Sequence, residues 1–198
     1  WWDDNVELLL GTGSAFTMYA YAFVQFPADT LPDTKIGLKG KQNARAKKLY
    51  LRGRAYLFRA LQLRHPGLVE ALRSANADSA LECTTIEDTS LLYWTGAAWM
   101  GAFTTDVFDM TLAMERPRAA ALIRRVLEIS DGYGAGSAHE FFVSYYGALP
   151  ASMGGSEERA REHFARAVAL ADSGKAGPYV SLASTVCVAR QDTAEFKG

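Results

Sequence analysis

The apolar residues of this chain recur every three or four positions and rarely alternate, and this spacing is the feature that most constrains the fold. One predicted helical face carries Leu8, Leu9, Thr12, Ala15, Phe16, Tyr19 and Phe23. A second stripe, on a helix predicted over 42–64, carries Ala46, Leu49, Gly53, Leu57, Ala60 and Leu61. Such spacing is typical of α-helices with one apolar face. The sequence therefore predicts an all-α fold.

Proline and glycine punctuate the remaining predicted elements. Residues 26–40 hold two prolines and two glycines, which predicts a long loop. Further helices are predicted over 68–74, 78–82, 90–105, 116–130, 139–149, 157–171 and 177–189. The segment "QDTAEF" resembles the start of another helix.

Small residues stand where paired helices would touch. The second-helix pattern of the tetratricopeptide repeat is matched by Ala160-x-x-x-Phe164-x-x-Ala167, Gly53-x-x-x-Leu57-x-x-Ala60 and Ala119-x-x-x-Ile123-x-x-Val126, and its first-helix pattern by Gly13-x-x-Phe16 and Gly96-x-x-Trp99. The spacing is irregular, since 40 residues separate Gly13 from Gly53. We predict an array of tetratricopeptide-like helical hairpins with insertions, about four pairs, in one α-helical repeat domain over 1–198. Residues 1–4 are predicted to form an N-terminal arm.

Composition argues against several classes of function. The formal net charge is −1, so no strong field of the whole protein favours nucleic acid or a membrane. Cys83 and Cys187 lie far apart without metal-ligand spacing, and we expect both thiols to be buried rather than paired or bound to zinc. No nucleophile or metal motif is present, so we expect no enzyme activity, no metal and no cofactor.

None of the three histidines has the sequence spacing of a metal-binding motif. His139 and Glu140 are adjacent, so on a helix they diverge and cannot form a zinc face. The simpler interpretation is a histidine that lines a helix-packing surface. His65 precedes a helix-stopping proline, and His163 is predicted to lie on a solvated face among charged residues.

The segment "YYGALPASMGG", 145–155, raises the question of a phosphate-binding loop. A Walker loop needs Lys and then Ser or Thr after its last glycine. Here Gly155 is followed by Ser156 and Glu157, and acidic residues would repel a phosphate. We therefore predict a turn between two helices, with Ser156 as the N-cap of the second.

Charge and aromatic residues are unevenly placed. Residues 35–64 hold ten Lys or Arg and no acid, which indicates either a solvated ridge balanced by the acidic region 78–88 or a surface for an anionic partner. Aromatic residues make up 12% of the chain. They fit either a core packed on both sides or a pocket with mixed walls. If a ligand site exists, we predict that it is lined by Tyr21, Gln25, Trp94, His139 and Tyr146.

Several segments together resemble one family. They are "YAYAFVQ", "RAKKLYLRGRAYLFRALQLRHPG", "LLYWTGAAWMGAF", "HEFFVSYYGALPASMGGSEERAREHFARAVAL" and "AGPYVSLASTVCVARQD". The chain resembles the T component of tripartite ATP-independent periplasmic (TRAP) transporters over about residues 16–196, most specifically in "LPASMGGS". The resemblance implies a non-catalytic, tetratricopeptide-like periplasmic protein that associates with the substrate-binding P component and assists delivery of a small hydrophobic or anionic solute.

The resemblance also implies a lipid anchor on a cysteine upstream of this chain. Neither Cys83 nor Cys187 is expected to carry it, since both lie in helical or core-like sequence. An alternative is a tetratricopeptide-type scaffold that grips a peptide or protein on its concave face. A third, disfavoured interpretation is nucleic-acid binding through 35–64. Exposed Trp1 and Trp2 would favour a homo-oligomer, for example a trimer, unless they fold back on the body.

Overall fold

A computed structural model describes residues 4–73 and 77–197, and these residues are 81% helical. The all-α prediction is confirmed. The chain divides into two compact units, Trp1–Arg125 and Val126–Gly198, and each is described by itself. The single repeat domain expected over 1–198 stays a prediction. Trp1 and Trp2 lie outside the described residues. None of the helices in the described part of the chain combines the length and apolar character needed to cross a bilayer.

The first unit is built from long helices and short turns. Its helices are α1, Val6–Tyr19; α2, Phe26–Asp29; α3, Ile36–Arg64; α4, Leu68–Arg73; α5, Ala77–Ala80; α6, Thr89–Thr104; and α7, Met110–Ile129, whose residues from Val126 belong to the second unit. A π-helical turn, Ala20–Gln25, joins α1 to α2, and 3-10 turns lie at Asp33–Lys35, Leu81–Cys83 and Ile86–Asp88. Asn5 caps α1 by accepting a hydrogen bond from the Leu8 N–H.

The long loop predicted over 26–40 is wrong. Phe26–Asp29 is helical and α3 already begins at Ile36. Pro27 stands in the first turn of α2, where a missing N–H removes no hydrogen bond within that helix. Position within the turn, rather than the number of prolines, decides whether a proline ends a helix.

α1 and α3 pack at very short range through two glycines. A Cβ built on Gly53 would lie 2.9 Å from the Gly13 carbonyl oxygen, and a Cβ on Gly13 would overlap the Leu57 side chain. The Thr17 hydroxyl adds to this contact region by donating to the Gly13 carbonyl within α1. The two helices therefore meet backbone to backbone, with no room for larger residues.

This contact selects an unexpected face of α1. The buried stripe of α1 and its π-turn is Leu9, Gly13, Thr17, Ala20 and Val24. Most of the larger residues on the predicted face point outward, with Tyr19 44% and Phe23 71% exposed. On α3 the prediction is closer: Tyr50 is buried where Leu49 was expected, and the other predicted stripe residues are buried.

α6 meets α7 through a similar small residue. A Cβ on Gly96 would lie 2.9 Å from the Ala119 carbonyl oxygen and 2.6 Å from Ile123 Cδ1. Gly13, Gly53 and Gly96 thus lie at helix contacts, as their spacing predicted. The tetratricopeptide-like arrangement of the whole array stays a prediction.

The second unit consists of two main helices and a bent third. Its helices are α8, Ser137–Gly147; α9, Glu157–Leu170; α10, Gly177–Leu182; α11, Val188–Arg190; and α12, Thr193–Lys197. A π-turn, Ala183–Cys187, joins α10 to α11. A core cluster unites Val143, Ala160, Leu182, Val186 and Cys187. Cys187 is buried as predicted, whereas Cys83 is exposed, contrary to expectation.

The glycine contact between α1 and α3 gives a matched test within one helix. We expect Gly13→Ala to lower the free energy of unfolding by about 1–3 kcal/mol, because backbone oxygen cannot move away from the new methyl group. Gly11→Ala is the control: a Cβ there meets nothing within 4 Å. Its gain in helix propensity should stabilise the protein by about 0.5–1 kcal/mol. Urea unfolding followed by tryptophan fluorescence measures both. Equal effects of the two substitutions would contradict the close packing.

Candidate functional site

The loop that joins α8 to α9 is a turn, as predicted, and its amides are used internally. Gly154 adopts φ +90°, and a Cβ on Gly155 would overlap the Leu149 carbonyl. The Gly155 N–H donates to the Pro150 carbonyl at 3.1 Å, and the Ser156 N–H donates to the Tyr146 carbonyl at 3.0 Å. The Ser156 hydroxyl caps α9 by accepting from the Arg159 N–H. These glycines serve geometry, not phosphate binding.

This turn forms one wall of a cavity of about 200 Å³ in the second unit. Its lining combines the end of α8, the turn, the start of α9 and the last residues of the bent helix. The lining residues are Tyr146, Gly147, Leu149, Ala151, Gly155, Ser156, Glu157, Val186, Ala189 and Arg190. Apolar side chains and backbone predominate, which is typical of a small-ligand site.

The charged groups at the cavity neutralise one another. Arg190 pairs with Glu157, which also accepts a hydrogen bond from Arg161 at 2.7 Å. Arg161 in turn forms a bidentate pair with Glu195, at 2.6 and 2.8 Å. The Arg161 and Arg190 guanidinium groups hold the pKa of Glu157 below its usual range, and Arg161 lowers the pKa of Glu195 to about 2. These two arginines and two carboxylates together carry no net charge.

Tyr146 connects the cavity to a pair of histidines, buried His139 and half-buried His163. His163 stacks on Tyr146 and Phe142, with ring centroids 5.7 and 4.9 Å apart, and Arg159 lies over the Tyr146 ring. The His163 Nδ1 lies 2.8 Å from the Nδ1 of His139, which is 7% exposed.

The outer ring nitrogen of His139 faces a carboxylate. Its Nε2 lies 2.8 Å from Asp131 Oδ1, and Arg166 donates to the other oxygen of Asp131. Arg166, and then His139, hold the pKa of Asp131 below its usual range. Because this carboxylate is ionised, the His139 Nε2 carries a proton and donates it. One proton then lies between the two Nδ1 atoms, since two facing N–H groups would repel.

Partial burial of the His163 ring disfavours the charged form of this imidazole. Burial, followed by repulsion from His139 and Arg159, lowers the pKa of His163 from 6.5 to about 4. Glu140, buried against Gly177, has its pKa raised by burial and therefore responds to pH in the opposite direction. The cluster thus holds a neutral His163 at neutral pH.

The predicted site residues divide between the two units. His139 and Tyr146 both contact His163, and Tyr146 lines the cavity. The prediction that His163 lies on a solvated face is wrong, because its ring is half-buried against Phe142 and Tyr146. Its spacing to Ala160 and Ala167, the buried stripe of α9, was the signal that could have identified it.

The other three predicted residues lie in the first unit and have local partners. Tyr21 is 56% exposed and packs near Phe26. Gln25 is buried; its amide oxygen accepts from the Tyr50 hydroxyl at 2.7 Å, and its amide nitrogen donates to Thr104. Trp94 stands edge-on to Tyr93. Their role in ligand binding stays a prediction.

The His163 pKa predicts how the second unit responds to acid. The unfolded state takes up a proton near pH 6.5 and the folded state only near pH 4. Stability from this group is therefore complete above about pH 6.5 and lost as pH falls towards 4. We expect a loss of about 1–2 kcal/mol, allowing for partial exposure of the ring.

Hydrogen exchange in α8 and α9, compared at neutral and acidic pH, measures this loss of stability. His163→Asn keeps a donor at the position of Nδ1 but cannot titrate, so its acid sensitivity should be smaller than that of the wild type. Glu140 remains in both proteins and cancels in the comparison. An unchanged acid response in His163→Asn would contradict the assignment.

Two similarities to known proteins cover nearly the whole chain. The family model described as "TRAP transporter T-component" matches residues 2–198. An uncharacterized protein of Treponema pallidum (strain Nichols) is 28% identical over 192 residues, which are 96% of this chain and 59% of that relative. The chain thus spans about three-fifths of the length of this curated relative.

Proposed function

The chain belongs to the TRAP transporter T-component family, and we propose that it is a non-catalytic accessory protein that binds the substrate-binding P component of a TRAP-type uptake system. The family match over residues 2–198 is the observation that carries this proposal. The family is one of transporter accessory proteins and implies a periplasmic or membrane-associated role. Tethering by a lipid anchor and assembly into a homo-oligomer belong to the same proposal.

The proposal includes a small ligand held in the cavity of the second unit. Tyr146, Leu149 and Val186 provide an apolar wall. Arg190, the arginine among the lining residues, is paired with Glu157, and neighbouring Arg161 is paired with Glu157 and Glu195, so an anion would compete with these carboxylates. The resemblance implied either a hydrophobic or an anionic solute. The cavity therefore favours the hydrophobic one.

The first experiment is calorimetric titration of the full chain with a TRAP P component from the same organism, with and without the solute of that P component. We expect saturable binding whose affinity changes with the solute. Absence of binding in both states would overturn the proposed role and favour the scaffold that grips another peptide or protein.

The ligand part is tested with two probes that share a six-carbon chain, hexan-1-ol with a neutral headgroup and hexanoate with an anionic one. We expect saturation-transfer NMR to detect binding of the alcohol in preference to the carboxylate. Ala189→Trp, at the exposed edge of the cavity, should abolish that signal without changing binding of the P component. The control is Ala165→Trp, on an exposed position of α9 outside the cavity. Equal binding of hexan-1-ol by both variants would exclude this cavity as the ligand site.

A further inference from the structure

The outer face of α1 carries large aromatic side chains that the first unit does not bury. We define the aromatic stripe as Phe16, Tyr19 and Phe23. The Tyr19 and Phe23 rings stack with centroids 5.4 Å apart, so the π-turn keeps them on one side. Phe23 is 71% exposed. A helix that is apolar on two faces and covered on one marks a contact surface.

A row of positive charges runs along the neighbouring helix α3. We define the cationic stripe as Lys41, Arg45, Lys48 and Arg52, which follow one another at intervals of four, three and four residues and therefore share one face. All four are exposed. The stripe extends over about 16 Å at 1.5 Å per residue.

The charges of this stripe are not neutralised by described residues. Other basic residues of α3 have partners: Lys47 binds Asp106 and Asp109, and Arg54 binds Glu115. No member of the cationic stripe forms an ion pair with any residue in 4–73 or 77–197. The acids that pair with other basic residues of α3 thus leave the face with the cationic stripe positively charged.

Contacts at both ends place the two stripes side by side. The Arg52 guanidinium lies 5.0 Å above the Phe16 ring, which also stacks on Tyr56. At the other end, Asp29 pairs with Lys39 at 3.9 Å. Because the segment 6–29 runs antiparallel to α3 between these two points, Tyr19 and Phe23 lie alongside the cationic stripe.

We propose that this aromatic–cationic face is the docking surface for the P component, through a partner surface with an apolar centre bordered by carboxylates. The inference rests on the proposed function, and adds where binding takes place and which chemistry it uses. The aromatic stripe supplies buried apolar area, and the cationic stripe supplies charge complementarity to an acidic border.

The lengths of the stripes favour a protein over an anionic lipid surface. Beyond both ends the basic residues of α3 are paired with acids: Arg59 with Asp4, Arg64 with Glu7, and Lys39 with Asp29. A continuous anionic bilayer would find no unpaired cation at these three pairs. A protein footprint of limited length fits between them.

The aromatic stripe is tested with the double substitution Tyr19→Ser and Phe23→Ser in the full chain. We expect the Kd for the P component, measured by calorimetry, to rise about 10- to 100-fold. Phe108→Ser is the matched control, since Phe108 is 89% exposed elsewhere in the same unit. It should leave Kd within about twofold of the wild type. Circular dichroism melting verifies that each variant is folded.

The cationic stripe is tested with Arg45→Glu and Lys48→Glu together. We expect Kd to rise about tenfold in about 50 mM salt and by a factor of about two in 500 mM salt, because salt screens exposed charges. Arg73→Glu, which changes an exposed side chain of the same unit, is the control and should have no effect at either salt concentration.

The outcomes separate this inference from the proposed function. Wild-type binding that survives both double substitutions overturns the docking face and leaves the proposed function standing. Failure of the wild type to bind overturns both. If the substitutions leave Kd unchanged but alter the sedimenting mass, or release the protein from phosphatidylglycerol vesicles, the face serves a second copy or a lipid surface, and the inference is wrong.

Discussion

The backbone contact between Gly13 of α1 and Gly53 of α3 is the constraint on which the first unit depends. Neither position tolerates a Cβ without overlap, so the two helices approach through their smallest residues. Aromatic rings have no place in such a contact, and Tyr19 and Phe23 therefore point away from it. The exposed aromatic stripe is thus a consequence of the glycine contact and not a failure of the chain to bury its apolar residues.

This explains why the sequence predicted α3 well and α1 poorly. α3 carries one apolar stripe, built from small and large residues in equal number, so helical periodicity alone identifies its buried face. α1 carries two stripes, one of small residues that includes Gly13 and Thr17 and one of large residues that includes Tyr19 and Phe23. Periodicity cannot choose between them, because the size of the facing residues on α3 decides which stripe fits.

The candidate site shows the same limit for polar residues. The turn after α8 and the cap at Ser156 follow from local sequence, and both were predicted. His139 was placed at a helix-packing surface, which the structure confirms. Its partners Asp131 and His163 were missed, since they lie 8 and 24 residues away and only tertiary packing brings them together. Charged neighbours obscured the fact that His163 lies on the buried stripe of α9.

Basic side chains are paired with acids at the cavity of the second unit, whereas those of the cationic stripe in the first unit are not. The two surfaces therefore suit different kinds of partner. At the cavity of the second unit, Arg161 and Arg190 are each bound to acids of their own unit, so an anion would have to compete with Glu157 and Glu195 for them. Apolar contacts would therefore stabilise a ligand bound there more than ionic contacts would. On α3 the cationic stripe forms no ion pair with an acid of the described residues, so its charges can interact with a partner that supplies carboxylates. An unbalanced surface beside exposed aromatic rings suits recognition of a protein, whereas a neutral cavity suits a small hydrophobic molecule.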